Sequence, residues 1–516
     1  MDYYRYLGIT IIAEYIDLIK AFDKMILKNV MNDLWRGGIK GKIWRNIYEI
    51  NRKSTIKVKT PNGQTEQAEI GELLKQGSVL ASTLAALHTN GASRMFKNEG
   101  YGVMYGEVNI NQLLFQDDIL KLESTEEQLN LANILYTWFS KINRMKYHED
   151  KSMYQTSNKE INIHLAGHQL KKAEQYKYLG EIITPNGKLD ETIKYRSNQI
   201  TGLTAELSTI INLIDNQDQP ILAAKTYHEM IILPKLLTNS ETWTNLSKKN
   251  IMDLEGIQNK TIKRLLRLPQ GTQSLALRNE LGMTSIDNLI KLKKLKYLHK
   301  VINYPDKSIT KKILIEQMTK PGRNWYSEIK EISETLDIEI GAEKLINTRK
   351  HQWHQEIYQK ISEITMKEME EWRFKSKKCQ NMMPSEKTQA YLSSLSATEA
   401  KIILDERLGM TKNKANYRKL HETTTCRLCH NETETTNHLI KCNRNPVIFD
   451  EMEKIAIKNH ENIIWNIKKT KNPDIKIMAQ CILKTLCALT PTPHPASASE
   501  VMEVTLEQSV MSTRQG

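Results

Sequence analysis

The sequence predicts an α+β fold, a small antiparallel sheet packed on helices, followed by a mostly helical remainder. Two strand-like runs, residues 11–18 and 113–122, carry carboxylates where they end or turn: Asp17 closes the first, and Asp117 and Asp118 interrupt the second. The segments that follow these runs place apolar residues at helical rather than alternating spacing. From about residue 189 onward no strand pattern recurs, so the sheet belongs to the first part of the chain.

After Asp17, residues Leu27, Val30, Met31, Leu34 and Trp35 predict the apolar face of a helix, with Asp23 as its N-cap and Gly37-Gly38 as its stop. Ile56, Val58 and Thr60 alternate up to Pro61-Asn62-Gly63, which predicts a hairpin. Residues 113–122 predict a second hairpin with the acids at its turn. An unpaired Asp-Asp is too costly to desolvate for a buried structural role, leaving a solvated turn or a metal site. A site for two divalent cations ~3.5–4 Å apart needs a third carboxylate, and Asp17, at a strand end before a helix, is the candidate. Ser124-Thr125-Glu126-Glu127 predicts a helix start, with Leu129, Leu131, Ala132, Ile134 and Leu135 following as a largely apolar helix. Pro185-Asn186-Gly187 marks a turn near the end of this unit.

Taken together, the segments around Asp17 and Asp117-Asp118 resemble motifs A and C of reverse transcriptases, especially those of non-LTR retrotransposons. The resemblance continues in order. Leu74-Lys75-Gln76-Gly77-Ser78 looks like motif B, residues 146–152 with Lys151 look like motif D, and Tyr176-Lys177-Tyr178-Leu179-Gly180 looks like motif E, the primer grip. The chain departs from the family pattern at Gln116, at Ala81-Ser82-Thr83 after motif B, and at Arg144 and His148 in motif D, where the family has Gly and Asn. Few residues precede Asp17, fewer than the family's fingers occupy, so the chain reads as a truncated copy.

What the resemblance implies is a right-hand polymerase palm acting as an RNA-directed DNA polymerase. Asp17 and Asp117 would hold two Mg²⁺ ions, supported by Asp118. Phe22 would gate the ribose, Gln76, Gly77 and Lys151 would contact the nucleotide, and Tyr178, Leu179 and Gly180 would grip the primer. Partners would be an RNA template, a DNA primer or target and deoxynucleoside triphosphates. Two alternatives are a nucleic-acid-binding remnant unable to polymerise, and an unrelated two-metal nuclease with no need of motifs B and E.

Residues 1–188 are therefore expected to form the palm with partial fingers, and 189–305 a helical, basic, thumb-like region. Two basic groups there, Lys260, Lys263, Arg264 and Arg267, then Lys291, Lys293, Lys294, Lys296 and Lys300, are expected to meet a nucleic-acid backbone without reading its sequence. Residues 306–405 predict a charged helical spacer. In 406–446, Cys426, Cys429, His438 and Cys442 give C-x2-C-x8-H-x3-C, three thiolates and an imidazole suited to a structural Zn²⁺. The module resembles the CCHC unit downstream of many non-LTR polymerases. Residues 447–516 offer only a lone Pro473-Asp474, too little for a nuclease, and a Pro/Ser-rich tail that reads as disordered.

Composition agrees. The 516 residues carry a formal net charge of +14, which favours an anionic partner. No run of about 18 apolar residues predicts a membrane span, and Met1-Asp2-Tyr3-Tyr4-Arg5 is unlike a signal peptide. Six cysteines, half of them in the cluster, predict a reducing, intracellular setting, nuclear when acting on DNA.

Overall fold

The computed structural model describes residues 9–19, 25–52, 55–61, 63–69, 79–115, 118–157, 161–213, 219–375 and 380–489. In chain order, the elements that build the candidate site are β1 (Ile12–Asp17), α1 (Leu27–Arg36), α2 (Ala81–Asn98), β2 (Gln112–Phe115), β3 (Asp118–Glu123), α3 (Glu126–Ile142), β4 (Met153–Gln155), β5 (Lys171–Lys172), β6 (Tyr176–Tyr178) and β7 (Glu181–Ile183). β1 is the middle strand of a five-stranded sheet in the order β5-β4-β1-β3-β2. It runs antiparallel to β3 and β4, and only the β4–β5 pair is parallel.

Side chains alternate across a strand, so the register sorts β1 and β3 into two faces. On one face Ile12, Ile16, Leu18 and Ile119 join Leu84, Ala92 and Phe96 of α2, Leu129, Ala132 and Tyr136 of α3, and Val30 and Leu34 of α1 in the main core. Glu14, Lys121 and Glu123 share the parity of this face and are all buried. The other face buries Ala13, Tyr15, Leu120 and Leu122 under Tyr178, with Tyr176 packed alongside. Asp17 and Asp118 are register partners at the end of this second face.

Local expectations hold where turn chemistry decided them. The hairpin at 113–122 forms, with Phe115 opposite Asp118, and Lys59–Thr60 pairs with Gly63–Gln64 around the proline turn. Thr125 caps α3 by accepting from the Gln128 N–H at 3.2 Å. Helical spacing alone does not say which apolar residues are buried. Leu27, Val30, Met31 and Leu34 of α1 are buried, but Trp35 is half-exposed. In α3, Leu129 and Ala132 are buried while Leu131 and Ile134 face solvent. The N-cap position of α1 is Ile26; Asp23, expected there, lies outside the described residues.

By Cα proximity the chain forms two compact units. The first comprises residues 1–196, 238–252 and 290–357, and includes the sheet; the second comprises 197–237, 253–289 and 358–516. Residues from 190 to 375 are mostly helical as expected, beginning with α4 (Asp190–Asn212) and including α5 (Lys248–Leu265). In the second unit, three helices after residue 447, Glu451–Lys458, His460–Trp465 and Asn472–Ala488, are ordered parts of a core through Ile457, Ile464, Met478 and Ile482. Pro473 stands in the first turn of the last helix and Asp474 beside it, a helix start. The tail after residue 489 lies outside the described residues. Among the described residues no helix is long and apolar enough to cross a membrane.

Candidate active site and metal centre

Asp17 ends β1 with its side chain 29% exposed, where a hydrated ion can reach it. Directly opposed residues of an antiparallel pair hold their Cβ atoms about 4.5–5.5 Å apart, so Asp17 and Asp118 set two like charges side by side. The segment 146–152 is laid along this strand end. The Ile19 N–H donates to Lys146 O at 2.8 Å, the His148 N–H to Asp17 O at 2.9 Å, and the Asp17 N–H to Ser152 Oγ at 3.2 Å. These bonds bring Lys151 Nζ to 3.7 Å from Asp17 Oδ2, an ion pair too long for a hydrogen bond. Arg144 has φ +55°, the left-handed conformation glycine adopts most readily.

The tyrosines of β6 close the other side. Tyr176 stacks on Tyr15 with ring centroids 4.1 Å apart, and the Tyr15 hydroxyl donates to Gln155 Oε1 at 2.9 Å. Burial, then the negative charge of Asp17 and Asp118, pushes the Tyr176 phenol up to about 12. Burial and Asp118 push Tyr178 up to about 12 likewise. Both phenols therefore register the field of the carboxylates. β6 and β7 are joined by Leu179-Gly180, with φ +48° and +81°, the primed two-residue turn that matches the twist of a hairpin. A leucine in that conformation is strained, and Asn239 Nδ2 donates to its carbonyl at 3.1 Å.

The arrangement sets two carboxylates at the end of two strands, with the phenols of Tyr176 and Tyr178 and the ammonium of Lys151 nearby. All-oxygen donors and adjacent like charges fit hard divalent cations such as Mg²⁺. Residues 10–183 match the model of the family described as "Reverse transcriptase (RNA-dependent DNA polymerase)". A reverse transcriptase domain is thus matched over the whole sheet and the β6–β7 hairpin. Among solved structures, telomerase from Candida tropicalis and telomerase from Candida albicans, each in complex with a TWJ fragment of telomeric RNA, are similar at 12% and 11% identity. They cover 60% and 62% of this chain, with a TM-score of 0.28 in both cases, too low to bear any inference. The chain spans about half the length of those telomerase chains, 49% and 53%. No curated protein matches.

Within the matched segment, the fold brings together Asp17, Asp118, Lys151 and Tyr178. Asp117, Phe22, Gln76 and Gly77 lie outside the described residues. Sequence reading missed the roles of Ser152 and Tyr15, whose side chains bond to Asp17 and Gln155, more than a hundred residues away. It also missed the buried ions behind the site. Lys121 Nζ lies 2.7 Å from Glu14 Oε2, and Lys121 also donates to Asn133. Asn133 Nδ2 donates to Glu14 Oε1 at 2.9 Å, and Lys121 sits over the Tyr136 ring at 4.9 Å. Burial lowers the Lys121 pKa. The Gly102 N–H donates to Glu123 Oε1 at 2.7 Å, yet burial pushes that carboxyl up to about 7.

The two basic groups are not rows of free cations. Lys294 is buried against Glu328 at 2.8 Å, and Lys293 pairs with Glu241 at 3.0 Å. Lys263 is buried, with Nζ donating to Gln270 O at 2.9 Å. Lys260, Arg264, Arg267 and Lys300 are exposed. Several of the lysines expected to meet phosphate instead hold their own unit together, because a long apolar stem beside a carboxylate is readily buried.

In the second unit, Cys426, Cys429, His438 and Cys442 converge, with one ligand atom from each within 4.8 Å of all the others. A tetrahedral Zn²⁺ with bonds of about 2.3 Å to sulfur sets ligand atoms ~3.8 Å apart, so the four fit. The Cys426–His430 stretch turns tightly, the His430 N–H donating to Cys426 O at 2.9 Å. Glu432 Oε2, 3.1 Å from His438 Nδ1, leaves Nε2 facing Cys429 Sγ at 3.3 Å. Backbone N–H groups of Glu432 and Asn431 pull the Cys429 thiol down to about 6, toward the thiolate a metal needs. His421 and His430 are not members of the cluster.

Proposed function

We propose that this chain is an RNA-directed DNA polymerase of the non-LTR retrotransposon type, extending a DNA primer on an RNA template, in the nucleus when it acts on DNA. The observation that carries the reading is the direct opposition of Asp17 and Asp118 at the end of β1 and β3, inside the matched domain. Asp17 and Asp118, with Asp117 between β2 and β3, would hold two Mg²⁺ ions. When bound, the ions supply charge neutralisation at the transferred phosphoryl group. The chain's own residues do the rest. Lys151 offers a proton donor beside Asp17, while Tyr178, Leu179 and Gly180 present a rigid hairpin to the primer. Phe22, Gln76 and Gly77 would shape the nucleotide site. The segments 1–188, 189–305, 306–405, 406–446 and 447–516 are our proposed functional division. The Cys/His cluster would hold one structural Zn²⁺, as in CCHC modules.

The test is Mg²⁺-dependent extension of a DNA primer on RNA. Wild-type protein should extend, and Asp17→Ala should lose ~10²–10³-fold or more, as removal of a charge-stabilising group does. Extension that persists at the wild-type rate in Asp17→Ala would refute the assignment. Binding without extension by the wild type would favour the inactive remnant. Separately, protein kept reduced should carry about one zinc per chain, and Cys429→Ser should remove it. Metal analysis finding no zinc in the wild type would dismiss the structural site.

A further inference from the structure

A cleft of about 700 Å³ in the first unit lies just past the β6–β7 hairpin. Its wall begins with the turn Asn186-Gly187-Lys188, which follows β7, and its far side carries Ser247, Lys249, Asn250 and Arg323. Two long helices start here, α4 at Asp190 and α5 at Lys248, so both positive dipole ends lie at the cleft. Lys188, Lys249 and Arg323 line it, against a single carboxylate, Asp190. That carboxylate is already engaged by Asn250 Nδ2 at 3.1 Å. Neither Lys188 nor Lys249 has an acidic partner among the described residues, and Arg323 stands 3.5 Å from a Glu328 that Lys294 also neutralises.

The polar groups are set rather than loose. Ser247 and Asn250 cap α5 reciprocally, the Asn250 N–H donating to Ser247 Oγ at 3.0 Å and the Ser247 N–H to Asn250 Oδ1 at 3.1 Å. Asn186 Oδ1 accepts from the Thr184 hydroxyl and the Lys188 N–H, which leaves its NH₂ group to donate. The result is an open cleft with cations, amide donors and two helix starts, and little acid. That chemistry suits phosphodiester oxygens, not a neutral or cationic ligand.

We propose that this cleft holds backbone phosphates of the nucleic-acid strand gripped by the β6–β7 hairpin. The identity of the strand rests on the polymerase reading. Retention of phosphate does not, and it is measured without nucleotides or extension. The site replaces Lys293, which is paired with Glu241, and the buried Lys294 as the anchor of sequence-blind binding in this unit.

The experiment measures binding of a fluorescein-labelled RNA–DNA hybrid with a recessed DNA 3′ end, as a function of salt. Three full-length proteins are compared: wild type, Lys188→Glu/Lys249→Glu, and a control of equal charge change, Lys419→Glu/Lys458→Glu. All four lysines are exposed, so each variant should melt like the wild type. The cleft variant should bind about tenfold or more weakly, and its slope of log affinity against log salt should fall by ~2, at about 0.9 for each phosphate no longer neutralised. The control should keep the wild-type slope. A second arm replaces single phosphates of the hybrid by methylphosphonates. Wild type should lose affinity at one or two adjacent positions to which the cleft variant is indifferent. Equal losses in cleft and control variants, an unchanged slope, or no position-specific loss would overturn the proposal. So would displacement of the hybrid by inorganic phosphate beyond the effect of matched ionic strength, which would make the cleft a small-anion site.

Discussion

On one face of β1 and β3, Glu14, Lys121 and Glu123 are sealed under α2 and α3; on the other, Asp17 and Asp118 stand opposite each other at a strand end that solvent can reach. The same two strands thus carry ionisable groups to both sides, with opposite treatment. The sealed set has Lys121 and the Asn133 amide to satisfy Glu14. At the open end, Lys151 Nζ stands 3.7 Å from Asp17 Oδ2. A buried ion pair holds shape, because removing one partner strands the other in low dielectric. Two adjacent carboxylates left near water store repulsion that a cation relieves, which is what a metal-dependent site requires.

The sharpest way to break this contrast is to compare Asp17→Ala with Lys121→Met. The first should lower extension by ~10²–10³-fold or more while leaving the melting temperature unchanged or slightly raised, since a like-charge repulsion disappears. The second should cost about 3–5 kcal/mol of stability by orphaning Glu14. Chemical denaturation reads it directly, and a loss below about 1 kcal/mol would mean the network is not a structural clamp. Replacing both partners, Glu14→Leu with Lys121→Met, should recover most of that loss, because an apolar pair of similar volume removes both desolvation penalties.

A smaller effect concerns pH. Glu123 is held at about 7 by burial, above the 4.5 of a free glutamate. A carboxyl raised on folding contributes stability that is complete below the unfolded value and is lost as pH rises through the folded one. Stability should therefore decline between pH about 4.5 and about 7, and Glu123→Gln, which keeps the neutral form, should flatten that part of the profile. An identical decline in the Gln variant would assign the dependence to other groups.

How much of this was legible follows the range of each interaction. The hairpin bearing Asp118, the proline turn before Gly63, the Thr125 cap and the Cys426–Cys429 turn are decided within a few residues, and all were readable. Helical spacing marked α1 and α3 as helices rich in apolar residues but could not say how wide the packed stripe was, and Trp35, Leu131 and Ile134 turn out exposed. Lysine clusters were read as a surface because sequence shows charge and not its partner. Lys294 finds Glu328 thirty-four residues later and is buried.

By itself, then, the sequence determined which residue types stand at strand ends and turns, the order of the five polymerase-like segments and the spacing of the four zinc-type ligands. These depend on local backbone geometry, which nearby side chains encode. Only the tertiary structure decided that Asp17 faces Asp118 in register, that Ser152 and Lys151 attend it, that Lys121 lies sealed with Glu14, and that Lys188, Lys249 and Arg323 meet around one cleft. Each of those joins parts of the chain far apart in sequence, and such pairings follow from how whole faces bury against one another.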